Sequence, residues 1–194
     1  MSPTDTSAGP TRNTERTRLA IFAATARAVV RHGAGVSIGK IAEEAKVSKG
    51  GLLHHFPSRE ALFEAVATDL IERFRQDVYA RVDLAENHPG KLLRGYVRAM
   101  CADLDPDSAG NTAWEALIIF RSSPGVAELI HADAERWDVE LTADGLDPDR
   151  VALVQLAADG LSALVLQSAE LAQRHLVRMR PLLLELTENN TRPS

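Results

Sequence analysis

From Thr14 onward the apolar residues of this chain recur at helical spacing. Leu19, Phe22, Ala23, Ala26 and Val30 fall at i, i+3, i+4, i+7 and i+11, one face of a helix that His32-Gly33-Ala34-Gly35 should end. Ile38, Ile41, Ala42 and Ala45 repeat the pattern behind Ser37, an N-cap candidate. After Lys46-Val47 a second candidate cap, Ser48, opens a helix whose Leu52 and Phe56 lie four apart on its inner side. Pro57 stops it. Ser58 and Glu60 suit the start of a fourth helix, lined by Leu62, Ala65, Val66, Leu70 and Phe74 to about Val82. Beyond Asn87-His88-Pro89-Gly90 the pattern predicts helices over 91–104, 112–121, 126–142, 150–167 and about 169–186. Asp105-Pro106-Asp107, Ser122-Ser123-Pro124-Gly125 and 144–148 should separate them; between the last two helices no strong breaker stands. No segment reads as a strand or a repeat. The expectation is an all-α protein with a flexible arm over 1–13, a three-helix unit over 14–60 and a helical domain over 61–194.

The segment from Ser37 to Phe56 is helix, tight turn, helix, the length of a DNA-reading helix-turn-helix. A helix that enters the major groove, about 12 Å wide, needs a slim polar first turn. Ser48-Lys49-Gly50-Gly51 supplies one. Each glycine costs about 1 kcal/mol relative to alanine inside a helix, which suggests close approach to a partner; a loose turn before the helix is the alternative.

Charge adds to this picture. The chain is net −5, yet residues 1–60 hold nine Lys/Arg against five Asp/Glu, a net of +4, and the remainder is −9. Such an asymmetry fits an electrostatic footprint at one end, or chance scatter of surface charge. The 45% hydrophobic content supports a core. The single cysteine, Cys101, allows no intrachain disulfide or multi-cysteine metal site and fits the cytoplasm. No run approaches a membrane span, and 1–13 lacks the apolar stretch of a signal peptide. Walker loops, HExxH, nucleophile elbows and Cys/His ligand sets are missing, so no enzyme chemistry, cofactor or metal is expected. A nonspecific nucleic-acid binder would need broader positive charge.

The run from Val47 through Ser48, Lys49, Gly50, Gly51, Leu52, Leu53, His54, His55, Phe56, Pro57, Ser58, Arg59 and Glu60 to Leu62 resembles the signature of the TetR family of transcriptional regulators. Residues 37–45 resemble the helix before it. The likeness covers 14–60; the rest agrees with that family only in length and helical pattern. The resemblance implies a homodimeric repressor on a palindromic double-stranded operator, released by a small-molecule effector. It implies base contact by Lys49, backbone approach at Gly50, phosphate contacts from Ser37, Ser48, His55 and Arg59, and a backbone or base contact from His54. Three positions depart from the family. Leu53 stands for a usual Tyr, Gly51 for a common Thr, and Lys46 for the usual turn Gly. A positive φ at Lys46 would be strained by about 1 kcal/mol or more.

In that family the C-terminal domain dimerises and binds a ligand. Residues 150–167 are apolar on most sides, including Val151, Leu153, Val154, Leu156, Leu161, Leu164, Val165 and Leu166, with Ala157, Ala158, Gly160 and Ala163 allowing close approach. This helix and 176–186 are the candidate dimer face, from about Arg150 to Leu186; a purely intrachain core is the alternative. Gln155, Asp159 and Ser162 make a polar stripe that faces solvent or lines a cavity. Tyr96, Met100, Cys101, Trp114, Phe120 and Trp137 could form cavity wall with Asp159, or simply core. Asp133, Glu135, Asp138 and Glu140 read as a solvated face.

Overall fold

The computed structural model describes residues 10–103, 109–165 and 167–188, with the backbone alone at 10–13 and 109–111. The described residues form α1 (Pro10–His32), α2 (Ile38–Glu44), α3 (Lys49–His55), α4 (Arg59–Ala80), α5 (Lys91–Asp103), α6 (Ala109–Phe120), α7 (Pro124–Thr142), α8 (Pro148–Val165) and α9 (Ala169–Leu186), with no strand among them. The all-α expectation therefore stands. α1 starts earlier than the sequence pattern implied, so 10–13 are helical rather than part of an arm. Residues 1–9, the Asp105-Pro106-Asp107 break and Leu166 lie outside the described residues.

Two helix starts differ from expectation for one reason. Pro124 and Pro148, read as breakers, are the first residues of α7 and α8. Proline's fixed φ suits the first helical position, where its missing N–H has no partner to lose. Asp147 Oδ1 accepts from the Arg150 amide at 3.2 Å as the cap of α8. The weak boundary before α9 is set by Ser168, whose hydroxyl accepts from Leu171 N at 3.2 Å.

The chain builds two apolar cores that meet inside α4. The first joins Ile21, Phe22, Ala28 and Val29 of α1 to Ile41, Leu52, Phe56, Leu62, Phe63 and Val66, and also to Ala116, Leu117 and Phe120 of α6 and Val126 of α7. The second joins Phe74 and Val78 of α4 to α5, the end of α7, α8 and α9. The packing of α6 on α1 explains a misread face. Leu19 is 37% exposed and Ala23 is exposed, whereas Ile21, Ala24, Thr25, Ala28 and Val29 are sealed. A helix covered from two sides buries more than one stripe.

Candidate functional site

The helix-turn-helix is assembled by caps. Ser37 Oγ accepts from Lys40 N at 3.2 Å and Ser48 Oγ from Gly51 N at 2.9 Å, so one otherwise unpaired backbone N–H at each helix start is satisfied by a serine hydroxyl. Both serines are exposed, and each hydroxyl keeps its proton free to donate outward. Between the helices, Val47 N reaches Ala42 O at 3.0 Å and Lys46 N reaches Glu43 O at 3.1 Å. This is the Schellman arrangement, which needs a left-handed residue. Lys46 provides it at φ 55°, the single positive φ outside glycine among the described residues. The strain anticipated at Lys46 is present, and its ammonium stands exposed beside the next helix.

Leu52 is fully buried and Phe56 is 7% exposed, packed at 5.7 Å on Phe22 of α1. The opposite side of α3 presents Lys49, Gly50, Leu53, His54 and His55 to solvent. Lys40 is paired with Glu43 at 3.0 Å, while Lys46 and Lys49 have no ion pair among the described residues. The two glycines divide. A Cβ at Gly51 would sit 3.0 Å from Ser48 Oγ, so glycine there serves the cap. A Cβ at Gly50 would meet nothing within 4 Å, so no intrachain contact demands glycine at that exposed position.

Arg59 differs from the expectation. It is half-buried, its Nη2 donates to Ala34 O, and its guanidinium lies 4.9 Å over the Phe63 ring. The side chain straps the α1–α2 loop to α4 instead of standing free at the surface. The adjacent rings of His54 and His55 are 5.8 Å apart, and no metal-ligating cluster of three exists among the described residues.

Two cavities flank α4. The larger, about 420 Å³, lies where α1, α4 and α6 meet, but its acids are largely occupied: Asp69 pairs with Arg73 at 2.7 Å and Asp77 with Arg81 at 2.8 Å. The other, about 280 Å³, is enclosed by α4, α5, α6, α7 and α8. Polar and aromatic groups converge on it, as expected of a ligand site. Phe74, Tyr96, Trp114 and Trp137 line it together with Gln155, Asp159 and Ser162. The polar stripe of α8 thus faces the cavity, because its neighbours Leu153 and Leu156 take the outward position, 57% and 71% exposed.

Four of the candidate cavity residues are brought together: Tyr96, Trp114, Trp137 and Asp159. Three are not. Phe120 is packed 4.6 Å from Phe63 in the first core. Met100 lies behind the wall, accepting from Ser162 Oγ at 2.7 Å. Cys101 is a core residue whose thiol burial pushes up to about 11. The Tyr96 hydroxyl donates to Asp159 Oδ1 at 2.6 Å. Burial raises the Tyr96 pKa well above its usual value, and Asp159 adds to that. Asp159 keeps solvent access at the rim, yet the apolar mass around it raises its pKa, with the Tyr96 bond opposing.

No local pattern along the chain announces Arg75, which is 2% exposed on α4. It donates to Asp133 at 2.9 Å and Glu140 at 2.5 Å and lies 4.1 Å over Trp137. Burial works against its charge, but the two carboxylates outweigh burial and its pKa rises. Asp133 and Glu140 are therefore not simply a solvated face: spaced i, i+7, they share one side of α7 and clamp α4. Glu135 and Asp138 remain exposed.

Residues 21–66 match the family described as bacterial regulatory proteins, tetR family, and residues 90–188 match the tetracyclin repressor-like C-terminal domain. The HTH-type transcriptional regulator BetI of Serratia proteamaculans (strain 568) is 30% identical over 133 residues, 66% of each chain. BetI of Paraburkholderia phytofirmans is 26% identical over 136 residues, 68% of each chain. Among solved structures, the multidrug binding protein EbrR complexed with malachite green superposes with a TM-score of 0.69 at 24% identity, over 87% of this chain and 96% of that one.

Proposed function

The chain belongs to the TetR family of bacterial regulatory proteins, a transcriptional regulator in fold and sequence, and on that premise we propose that it is a homodimeric repressor whose grip on a palindromic operator is released by a small molecule. The observation that carries the reading is the continuity of the first core. α3, which presents Lys49 to solvent, is seated through α2 on α1; α1 packs on α6, and α6 also walls the 280 Å³ cavity through Trp114 and Leu117. A ligand that alters the cavity therefore presses on the helix that seats the DNA reader.

The roles proposed follow the geometry. Lys49 would reach a base edge, Gly50 would let the backbone approach, and the free hydroxyl protons of Ser37 and Ser48 would meet phosphates beside His54 and His55. Gly51 would serve through the Ser48 cap. Tyr96, Trp114, Trp137 and Asp159 would meet the effector; EbrR holds malachite green in the same fold. Leu153, Leu156 and Gly160 of α8, with Val177 and Leu182 of α9, leave an apolar face exposed on the single chain, and a second copy would cover it. No described helix is long and apolar enough to cross a membrane; a reader of chromosomal DNA would work in the cytoplasm.

The test is selection of bound duplexes from a random pool, followed by gel shift of the recovered sequence. A palindrome whose half-sites lie about one helical turn apart, or somewhat more, supports the reading. Recovery of no common sequence, with binding that depends on salt alone, overturns it.

A further inference from the structure

We infer that the 280 Å³ cavity is built for an organic cation, with Asp159 as its counter-charge and the rings of Phe74, Tyr96 and Trp114 as its walls. This rests on the reading of that cavity as the effector site and adds the chemical class of the effector.

The rings come first. Phe74 stands edge-on to Tyr96 at 5.5 Å and to Trp114 at 5.2 Å, and Tyr96 is 5.2 Å from Trp137. Ring faces carry negative potential, and a cage of several such rings favours an alkylated ammonium, whose weak hydration makes desolvation cheap. The cavity already contains an internal example. Trp137 carries the Arg75 guanidinium on one face at 4.1 Å.

The charges decide between cation, anion and neutral ligand. Arg75 is one positive charge held by two carboxylates, Asp133 and Glu140, so that group leaves a net negative charge beside the cavity. Asp159 adds another. It has the Tyr96 hydroxyl as hydrogen-bond donor, and no cation among the described residues stands within ion-pair range of it. Arg121 is the base on the lining itself, and it is exposed to solvent. An anionic ligand would meet repulsion from the Asp159 carboxylate and from the net negative charge of the Arg75 group. A neutral apolar ligand would take water from Asp159 and return nothing. A cation removes that penalty and gains the ring faces as well.

The experiment uses the full chain without DNA. Calorimetric titration with phenyltrimethylammonium is compared with tert-butylbenzene, which has the same shape without the charge. The cation is expected to bind about tenfold more tightly or better. Asp159→Asn keeps an oxygen for the Tyr96 hydroxyl and should erase that preference. Tyr96→Phe leaves the carboxylate and should retain it. Equal binding of the two compounds to the unaltered chain overturns the inference without recourse to any variant, as does an undiminished preference in folded Asp159→Asn. Release of the selected operator is measured separately: cation binding that leaves the operator bound supports the cation site and overturns ligand gating.

Discussion

At the scale of single residues, position 59 shows how a side chain's chemistry can be legible while its task is not. The family resemblance implied a phosphate contact for Arg59, but Phe63 one turn later and the Ala34 carbonyl from a loop 25 residues away capture the guanidinium. Arg59→Ala should therefore destabilise the fold by about 2 kcal/mol, from one charged hydrogen bond and one cation–π contact, lowering Tm by roughly 5 °C in thermal melts. An unchanged Tm would show the strap to be idle. Lys49→Ala is the contrasting case, since the exposed ammonium has no ion pair among the described residues. It should leave Tm unchanged and relax sequence preference at one operator position by about 1–3 kcal/mol, read from competition binding against operator variants. Asp103 offers a pH test. Burial, helped by Asp77, raises its pKa from 3.8 to about 6, so the folded state holds the proton more tightly than the unfolded state. Its stabilising proton is in place below pH 3.8 and is lost as pH rises through 6, leaving a penalty of about 2 kcal/mol above that once its solvent-screened part is discounted. Asp103→Asn should raise stability in denaturant titrations at pH 7.5 and have little effect near pH 4; a gain of equal size at both would refute the assignment.

At the scale of elements, what could be read from the sequence were patterns carried by neighbours along the chain. Leu52 and Phe56, the Ser37, Ser48 and Ser58 caps and the break at Gly33 need only local spacing, and these placed the helix-turn-helix within a few residues. What escaped depended on packing between distant segments. Nothing near Asp144 announces that its carboxylate accepts from Leu92 N at 2.7 Å and Leu93 N at 3.1 Å, capping α5 from the far end of α7. The Arg75 clamp spans 58 and 65 residues. The cavity was legible in its aromatics but not in their sorting, because Phe120 and Trp114 share α6 while Phe120 is sealed in the first core and Trp114 bridges both. Gly95 gives a test at this scale. A Cβ there would meet Val78 O at 2.9 Å and Val82 Cγ2 at 3.0 Å, so α5 approaches the α4 backbone through the missing side chain. Helix propensity alone predicts that Gly95→Ala stabilises by about 1 kcal/mol. The packing predicts the opposite, a loss of about 1–3 kcal/mol with α4 and α5 forced apart. Chemical denaturation of the two proteins reads the sign directly.

At the scale of the whole molecule, the exposed face of α8 and α9 decides whether the chain acts alone. Leu164 is partly buried against its own core, so a charge there would unfold the chain before it reported on any interface. Leu156 is the better probe. It is 71% exposed in the single chain, where glutamate would be tolerated, and it would be buried if a second copy docks with α8 and α9 forming a four-helix contact. Leu156→Glu should keep its helical signal and melt cooperatively, yet sediment as a monomer of 21.1 kDa where the unaltered chain sediments as twice that mass. The monomer should also lose operator affinity steeply, because one recognition helix makes half of the phosphate and base contacts and the second half-site no longer binds as part of the same particle. The same dimer sets a thermodynamic condition on gating. If a cavity ligand weakens operator binding by some factor, the operator must weaken ligand binding by that factor. Titrating ligand into the protein with and without a saturating operator measures both sides of the cycle. Equal ligand affinities in the two titrations, in a protein confirmed as a dimer, would separate the cavity from the DNA reader and leave the α1–α6 contact as a structural joint alone.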